Sequence, residues 1–316
     1  MKKITAIILA FLLIAGTLTG CSKTSSDKKI SVICTIFPQY DWVRQILGDN
    51  ADNFDLTFLL DNRIDLHNYQ PSVADFAKIS TCDLFIYVGG VSDAWADDAL
   101  NDVKNKDMVT LNLLEILGDT AKIEEAVEGM EDEDEEDEEE YDEHVWLSLK
   151  NAQFFCAAIA GILSDLDPQN ADKYSNNLTA YNGKLAALDA QYRATVDAAS
   201  YKTLLFADRF PFRYLADDYG LDYYAAFAGC SAETEASFAT VVFLAKKMDE
   251  LQLPCVMVTE SSDQSIARTV IQNTAAQNYK ICILDAIQSV SAESVRNGVT
   301  YLSIMEKNLE SLKTCM

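Results

Sequence analysis

Short β-branched and aromatic runs alternate with stretches of helical period along most of this chain. In the first half the strand candidates are 30–36, 54–60, 83–88 and 108–111, with helix-like segments near 38–47, 71–80 and 93–104 between them. In the second half strands are expected at 202–207, 222–226, 255–259 and 280–284, and helices at 210–219, 235–251, 263–274 and 292–312. Two sets of four strands, each alternating with helices, predict an α/β fold of two parallel-sheet lobes.

The stretch between the two sets has its own period. Asp167-Pro168 is a helix-start signal, a capping side chain followed by proline at the first helical position. Tyr174, Leu178, Tyr181, Leu185, Leu188, Tyr192 and Val196 then recur every three or four residues. That spacing predicts one long rigid helix of roughly 30 residues, about 45 Å at 1.5 Å per residue. The expected division is an N-terminal lobe at 30–166, a linking helix at 167–199 and a C-terminal lobe at 200–316. One stiff connection limits hinge motion.

Composition adds that the chain is globular, with 49% hydrophobic residues despite a formal net charge of −25. That charge argues against nucleic acid as a partner, since neutralising phosphates needs clustered Lys and Arg. It favours cations. Part of it lies in an acidic loop at 131–143, where only Tyr141 is not Asp or Glu. So dense a block of like charge cannot order itself, and it reads as a solvated spacer or an electrostatic collector of cations.

The N-terminus bears on location. Met1-Lys2-Lys3 and the apolar run 4–16, too short to span a bilayer, read as a signal peptide over residues 1–20. The segment Leu18-Thr19-Gly20-Cys21 resembles the lipobox of bacterial lipoproteins. It implies acylation of Cys21, a polar tether at 21–29, and a body anchored by lipid at the extracytoplasmic face of the cell membrane. About 295 residues then remain, enough for two ordinary domains. The other cysteines, Cys34, Cys82, Cys156, Cys230, Cys255, Cys282 and Cys315, include no CxxC pair and read as unpaired core thiols, not a disulfide framework. Cys230 lies in a loop, where a thiol can also be a soft metal ligand.

The chain has two histidines, in like contexts. His67 follows an apolar strand and a short loop, at the end of a parallel sheet where ligands bind. His144 follows the acidic loop and precedes Val145-Trp146-Leu147. Neutral imidazole is the commonest side-chain ligand for transition metals.

The residues around both histidines carry a family resemblance. Asp65-Leu66-His67-Asn68-Tyr69-Gln70-Pro71-Ser72 resembles the D-P-H-x-Y-x-P-T/S segment of the cluster A-I metal-binding receptors of ABC transporters, the ZnuA/TroA/PsaA-like family. Asp142-Glu143-His144-Val145-Trp146-Leu147-Ser148-Leu149-Lys150-Asn151-Ala152 is similar to that family's D-P-H-V-W-L-D-P-x-N-A. Phe212-Arg213-Tyr214, Tyr219-Gly220-Leu221, the segment 231–237, Tyr301-Leu302 and Asn308-Leu309 keep its order and spacing, so nearly the whole mature chain is covered.

The resemblance implies two α/β lobes bridged by a long helix. It also implies a monomer that binds a divalent metal ion between the lobes and passes it to a transporter permease. His67, His144 and Asp285 match family ligand positions. The family's third ligand lies in an H-x-x-F-x-Y pattern that here reads Arg209-Phe210-Pro211-Phe212-Arg213-Tyr214, and arginine cannot ligate a metal. Three readings stay open. Asp208, Glu235 or Glu260 completes the shell; or Arg209 pairs with one of these acids and leaves a position to water; or the site has decayed and Arg209 binds an anionic solute. Two imidazoles with one or two carboxylates suit zinc (Zn2+), with manganese (Mn2+) as the alternative. No enzyme is expected. A metallohydrolase could use such a triad, but the chain has no H-E-x-x-H, nucleophile elbow or phosphate-cradling glycine loop. A surface adhesin is the remaining alternative.

Overall fold

The computed structural model describes residues 29–62, 64–130, 140–231 and 235–316. The expected signal peptide 1–20, the expected lipidation site Cys21, the expected tether up to residue 28 and acidic-loop residues 131–139 lie outside the described residues.

The first lobe runs β1 (Ile30–Cys34), α1 (Phe37–Leu47), β2 (Phe54–Phe58), α2 (Val73–Ile79), β3 (Leu84–Tyr87), α3 (Trp95–Asn101), β4 (Val109–Asn112) and α4 (Leu113–Leu117). Its four strands pair in parallel in the order β2-β1-β3-β4. The second lobe has β5 (Thr203–Arg209), β6 (Asp222–Phe227), β7 (Cys255–Val258) and β8 (Lys280–Ile283), again parallel, in the order β6-β5-β7-β8. Central strands β3 and β7 are buried along their whole length. Helices cover both faces of a parallel sheet, which is why these strands read as continuous apolar runs.

One long helix joins the lobes, as expected, and a second helix leads into it. α5 (Leu149–Leu166) ends at Asp167, a short turn covers Pro168–Asn170, and α6 (Ala171–Ala198) then crosses to the second sheet. Asp167 fixes the corner, its carboxylate accepting hydrogen bonds from Tyr174 Oη at 2.6 Å and Asn170 Nδ2 at 2.8 Å. α6 buries Tyr174, Tyr181, Leu185, Leu188, Tyr192 and Val196, the stripe its sequence period marks.

α6 is not the only tie between the lobes. The second lobe adds α7 (Arg213–Tyr219), α8 (Phe238–Leu251), α9 (Ser265–Gln272), α10 (Ala292–Arg296) and α11 (Tyr301–Cys315). The single helix expected at 292–312 is thus divided. Gly298 adopts φ +88°, and Thr300 caps the new start by accepting from the Ser303 N–H. α11 then reaches back to the first lobe. The Tyr301 N–H donates to Asp41 on α1 at 2.9 Å, and the Tyr301 hydroxyl donates to the Trp146 carbonyl at 2.7 Å. One buried apolar core contains Val32, Leu84 and Trp42 of the first lobe and Phe206, Met257 and Leu309 of the second.

The cysteines depart from the expectation of seven unpaired thiols. Cys255 at the start of β7 is joined to Cys315 at the end of α11, while Cys34, Cys82, Cys156, Cys230 and Cys282 are free. The pairing was hidden because a separation of 60 residues carries no local pattern.

Candidate metal centre

The side chains that meet between the lobes leave the carboxyl ends of the strands, as open parallel sheets dictate. His67 sits in a 3-10 turn (Leu66–Asn68) after β2, and Asp65 caps that turn by accepting the His67 N–H at 3.1 Å. His144 opens a second 3-10 turn (Val145–Leu147) ahead of α5. The two Nε2 atoms lie 3.1 Å apart.

Partners at the other ring nitrogens orient both imidazoles. His67 Nδ1 is 2.7 Å from Ser92 Oγ and 3.4 Å from Glu143 Oε2, and His144 Nδ1 is 3.1 Å from Asp142 Oδ1. Both rings therefore turn their Nε2 atoms toward a common point. Two nitrogen lone pairs at that distance repel unless a proton or a metal cation lies between them. Glu143 reaches His67 because Gly90, at φ +81°, leaves the room: a Cβ there would sit 2.4 Å from Glu143 Oε1.

Electrostatics divide the pair. Burial, and then charge on His144, drive His67 down to about 3. Burial also opposes charge on His144, but Asp142, with Glu124 and Glu143 behind it, raises it above the ordinary histidine value. Asp65 is held low despite burial, by His67 and Arg209.

The second lobe contributes from four strand ends. Pairing of β5 with β6 slips between Phe206 and Arg209, where three residues of β5 span two of β6. This bulge re-aims the strand end. Asp208 turns inward to accept from the Thr259 N–H at 3.0 Å and the Thr259 hydroxyl at 2.7 Å. Arg209 crosses to the first lobe and donates to Asp65 at 2.8 Å. Cys230 follows β6. Glu260, after β7, accepts from the N–H groups of Ala286, Gln288 and Ser289. Asp285, after β8, accepts from the Ile287 N–H at 2.7 Å, and burial together with Glu260 pushes it up to about 7.

Not all the residues expected at the site converge. His67 and His144 do, and the third member of the group is Cys230: a ring nitrogen of each histidine and the Cys230 sulfur lie within 4.8 Å of one another. Among the described residues that group includes neither Asp285, Asp208 nor Glu260. Glu235 is exposed to solvent. Arg209 does pair with an acid, but with Asp65 of the facing lobe and not with Asp208, Glu235 or Glu260, because the bulge directs it across the cleft.

Gln288 was not anticipated. Its amide nitrogen lies 3.2 Å from His144 Nε2 and 3.3 Å from Asp65 Oδ1. Ile287 before it adopts φ +62°, a costly conformation for a β-branched residue, which the surrounding turn imposes. The place of Gln288 in a loop beyond a strand end is the one signal the sequence carries for it. A cleft of about 590 Å³, lined by His67, Ser92, Glu143, Arg209, Cys230 and Ser262 among others, opens from His67 to solvent.

Two all-parallel lobes with a histidine pair buried between them define a two-lobed binding protein whose site lies at the lobe interface. The family model of the periplasmic zinc-uptake complex component A, ZnuA, matches residues 32–315, and the chain belongs to that family. It is 31% identical over 317 residues to the zinc-binding lipoprotein AdcA of Streptococcus pneumoniae serotype 4, covering 99% of this chain and 61% of AdcA. The chain therefore spans about three-fifths of the length of that relative. It is 30% identical over 310 residues to the high-affinity zinc uptake system protein ZnuA of Bacillus subtilis, covering 97% and 95% of the two chains. Among solved structures, Zn(II)-bound AdcA from S. pneumoniae superposes with a TM-score of 0.73 at 27% identity, over 91% of this chain and 58% of that one. The metal-dependent lipoprotein YcdH of B. subtilis does so with 0.74 at 27% identity, over 91% and 99%.

Proposed function

We propose that this protein captures a divalent cation, zinc before manganese, between its lobes and delivers it to the permease of an ABC transporter. The metal is cargo and no reaction is catalysed. The observation that carries the reading is the pair of Nε2 atoms 3.1 Å apart, each ring held at Nδ1 by a hydroxyl or carboxylate partner. Buried, oriented, neutral imidazoles are what a borderline-soft cation binds, and the acids behind them offset its charge.

His67 and His144 are the first ligands in this reading. Asp285 supplies a carboxylate from the turn that already sets Gln288 against His144. The names of the AdcA and ZnuA relatives support zinc. The division into lobes at 30–166 and 200–316 around a linking segment at 167–199, the monomeric state, and lipid anchoring through Cys21 at the outer face of the membrane belong to the same proposal.

Metal titration of the purified protein tests it, with zinc and manganese in competition. One zinc per chain is expected, and His144→Ala should lose it. Absence of a stoichiometric ion in the wild type, or equal binding by the variant, would overturn the reading.

A further inference from the structure

We infer that Cys230 is a metal ligand, its thiolate joining His67 and His144 from the opposite lobe and filling the place that Arg209 leaves open. This rests on the proposed metal-capture function and names the donor that makes the shell selective.

Three observations converge on it. The first is distance. Zinc binds imidazole nitrogen at ~2.0–2.1 Å and thiolate sulfur at ~2.3 Å, so donor atoms in a tetrahedral shell stand roughly 3–4 Å apart. The two histidine nitrogens and the Cys230 sulfur fall within 4.8 Å of one another, close enough for small side-chain movements to complete the shell.

The second is how Cys230 is held. Its N–H donates to Glu124 Oε1 at 2.7 Å. Beside it, a Cβ on Gly229 would stand 2.9 Å from the Phe210 carbonyl oxygen and 3.2 Å from Pro211 Cα. The loop after β6 therefore packs directly on the backbone that follows Arg209, and a glycine is what permits that approach. Cys230 faces the cleft that reaches His67, not the interior of its own sheet.

The third is what Arg209 does. Its guanidinium donates to Asp65 and to the Ser231 carbonyl, so it spans the lobes beside the histidines without offering a lone pair. It is an electrostatic partner of the Asp65 turn, and the soft donor comes from the neighbouring strand.

Binding is balanced as an exchange of a proton for a metal. The S–H bond breaks with its electron pair left on sulfur, that pair forms the metal–sulfur bond, and the proton passes to water through the cleft. A thiolate beside two imidazoles favours zinc over manganese, because manganese prefers oxygen donors. Asp285, outside that group of three, would complete a four-coordinate shell of two nitrogens, one sulfur and one oxygen only by turning in from its bond to the Ile287 N–H.

Cobalt(II), a spectroscopic substitute for zinc, gives the decisive readout. The wild-type cobalt adduct should show a sulfur-to-cobalt charge-transfer band in the near ultraviolet, which zinc abolishes on displacement. Cys230→Ser should still bind cobalt through the histidines but lack the band. It should also lose about tenfold or more in zinc affinity while manganese affinity changes little. A wild-type adduct without the band overturns the assignment of Cys230 and leaves the two-histidine reading standing. A band retained in the variant does the same. Failure of the wild type to bind cobalt or zinc at all overturns both. The wild-type spectrum decides the matter even where the serine variant folds poorly.

Discussion

Arg209 Nη2 lies 2.8 Å from Asp65 Oδ2, an ion pair that joins the end of β5 to the turn carrying His67. The pair neutralises a carboxylate that would otherwise attract a cation into the site, and it fixes the spacing of the two lobes at the histidines.

Arg209→Gln should therefore act in two directions. Stability should fall by about 2 kcal/mol, the scale of a hydrogen bond to a charged group, since both side chains are mostly buried. Zinc affinity should rise, because one positive charge leaves the cleft and Asp65 is freed. Chemical denaturation and competitive zinc titration measure the two effects. A fall in affinity would show that the pair positions the His67 turn and does not merely set its charge.

Gln288 competes for the lone pair that the metal needs. Its amide lies 3.2 Å from His144 Nε2, and a neutral hydrogen bond contributes about 1 kcal/mol. Gln288→Ala is expected to raise zinc affinity by roughly fivefold, the equivalent of that energy. Stopped-flow binding with a competing chelator would report it; unchanged kinetics would count against the competition.

Asp93 makes stability depend on pH. Its Oδ2 accepts from the Val88 and Gly89 N–H groups, while Oδ1 has no partner among the described residues. Burial is the main cause that lifts it from 3.8 to about 7, and Glu143 adds to the lift. The native state then binds more protons than the unfolded chain across this window, so stability is lost as pH rises from about 4 to 7 and stays level above that. Asp93→Asn should flatten this slope, on the order of a few kcal/mol, in denaturant unfolding at acid and neutral pH. Parallel curves for the two proteins would assign the slope to other groups.

The Cys255–Cys315 bridge closes a loop of 60 residues and pins the end of α11 to the second sheet. Its removal by Cys315→Ser should cost up to about 4 kcal/mol through the entropy of the unfolded chain. Thermal unfolding with and without reductant should lower the wild type to the level of the variant. A wild type insensitive to reductant would mean that the bridge is not formed in solution.

Much of this architecture was legible because parallel strands buried on both faces stand out as apolar runs between helical periods. The eight strands lie where that pattern puts them. The corner between α5 and α6 was less legible, since Asp167-Pro168 marks a helix start equally well after a loop or after another helix. The division between α10 and α11 depends on Gly298 and Thr300, a punctuation too slight to separate from one amphipathic run. At the site, His67 and His144 could be singled out from their motifs and their places beside strand ends. Cys230 could be noted only as a loop thiol able to bind a soft metal, and its place beside the histidines, like that of Gln288, depends on how one lobe packs against the other. The direction of Arg209 depends on a bulge, whose single extra residue reverses the side-chain alternation.

That bulge has a consequence for how the site can change. Arg209 and Cys230 leave adjacent parallel strands, β5 and β6, on loops that touch at Gly229 and Phe210. A donor lost from one loop can be replaced from the next without moving either sheet. The sheets fix where the strand ends meet, and the loops alone decide which side chains stand at that point.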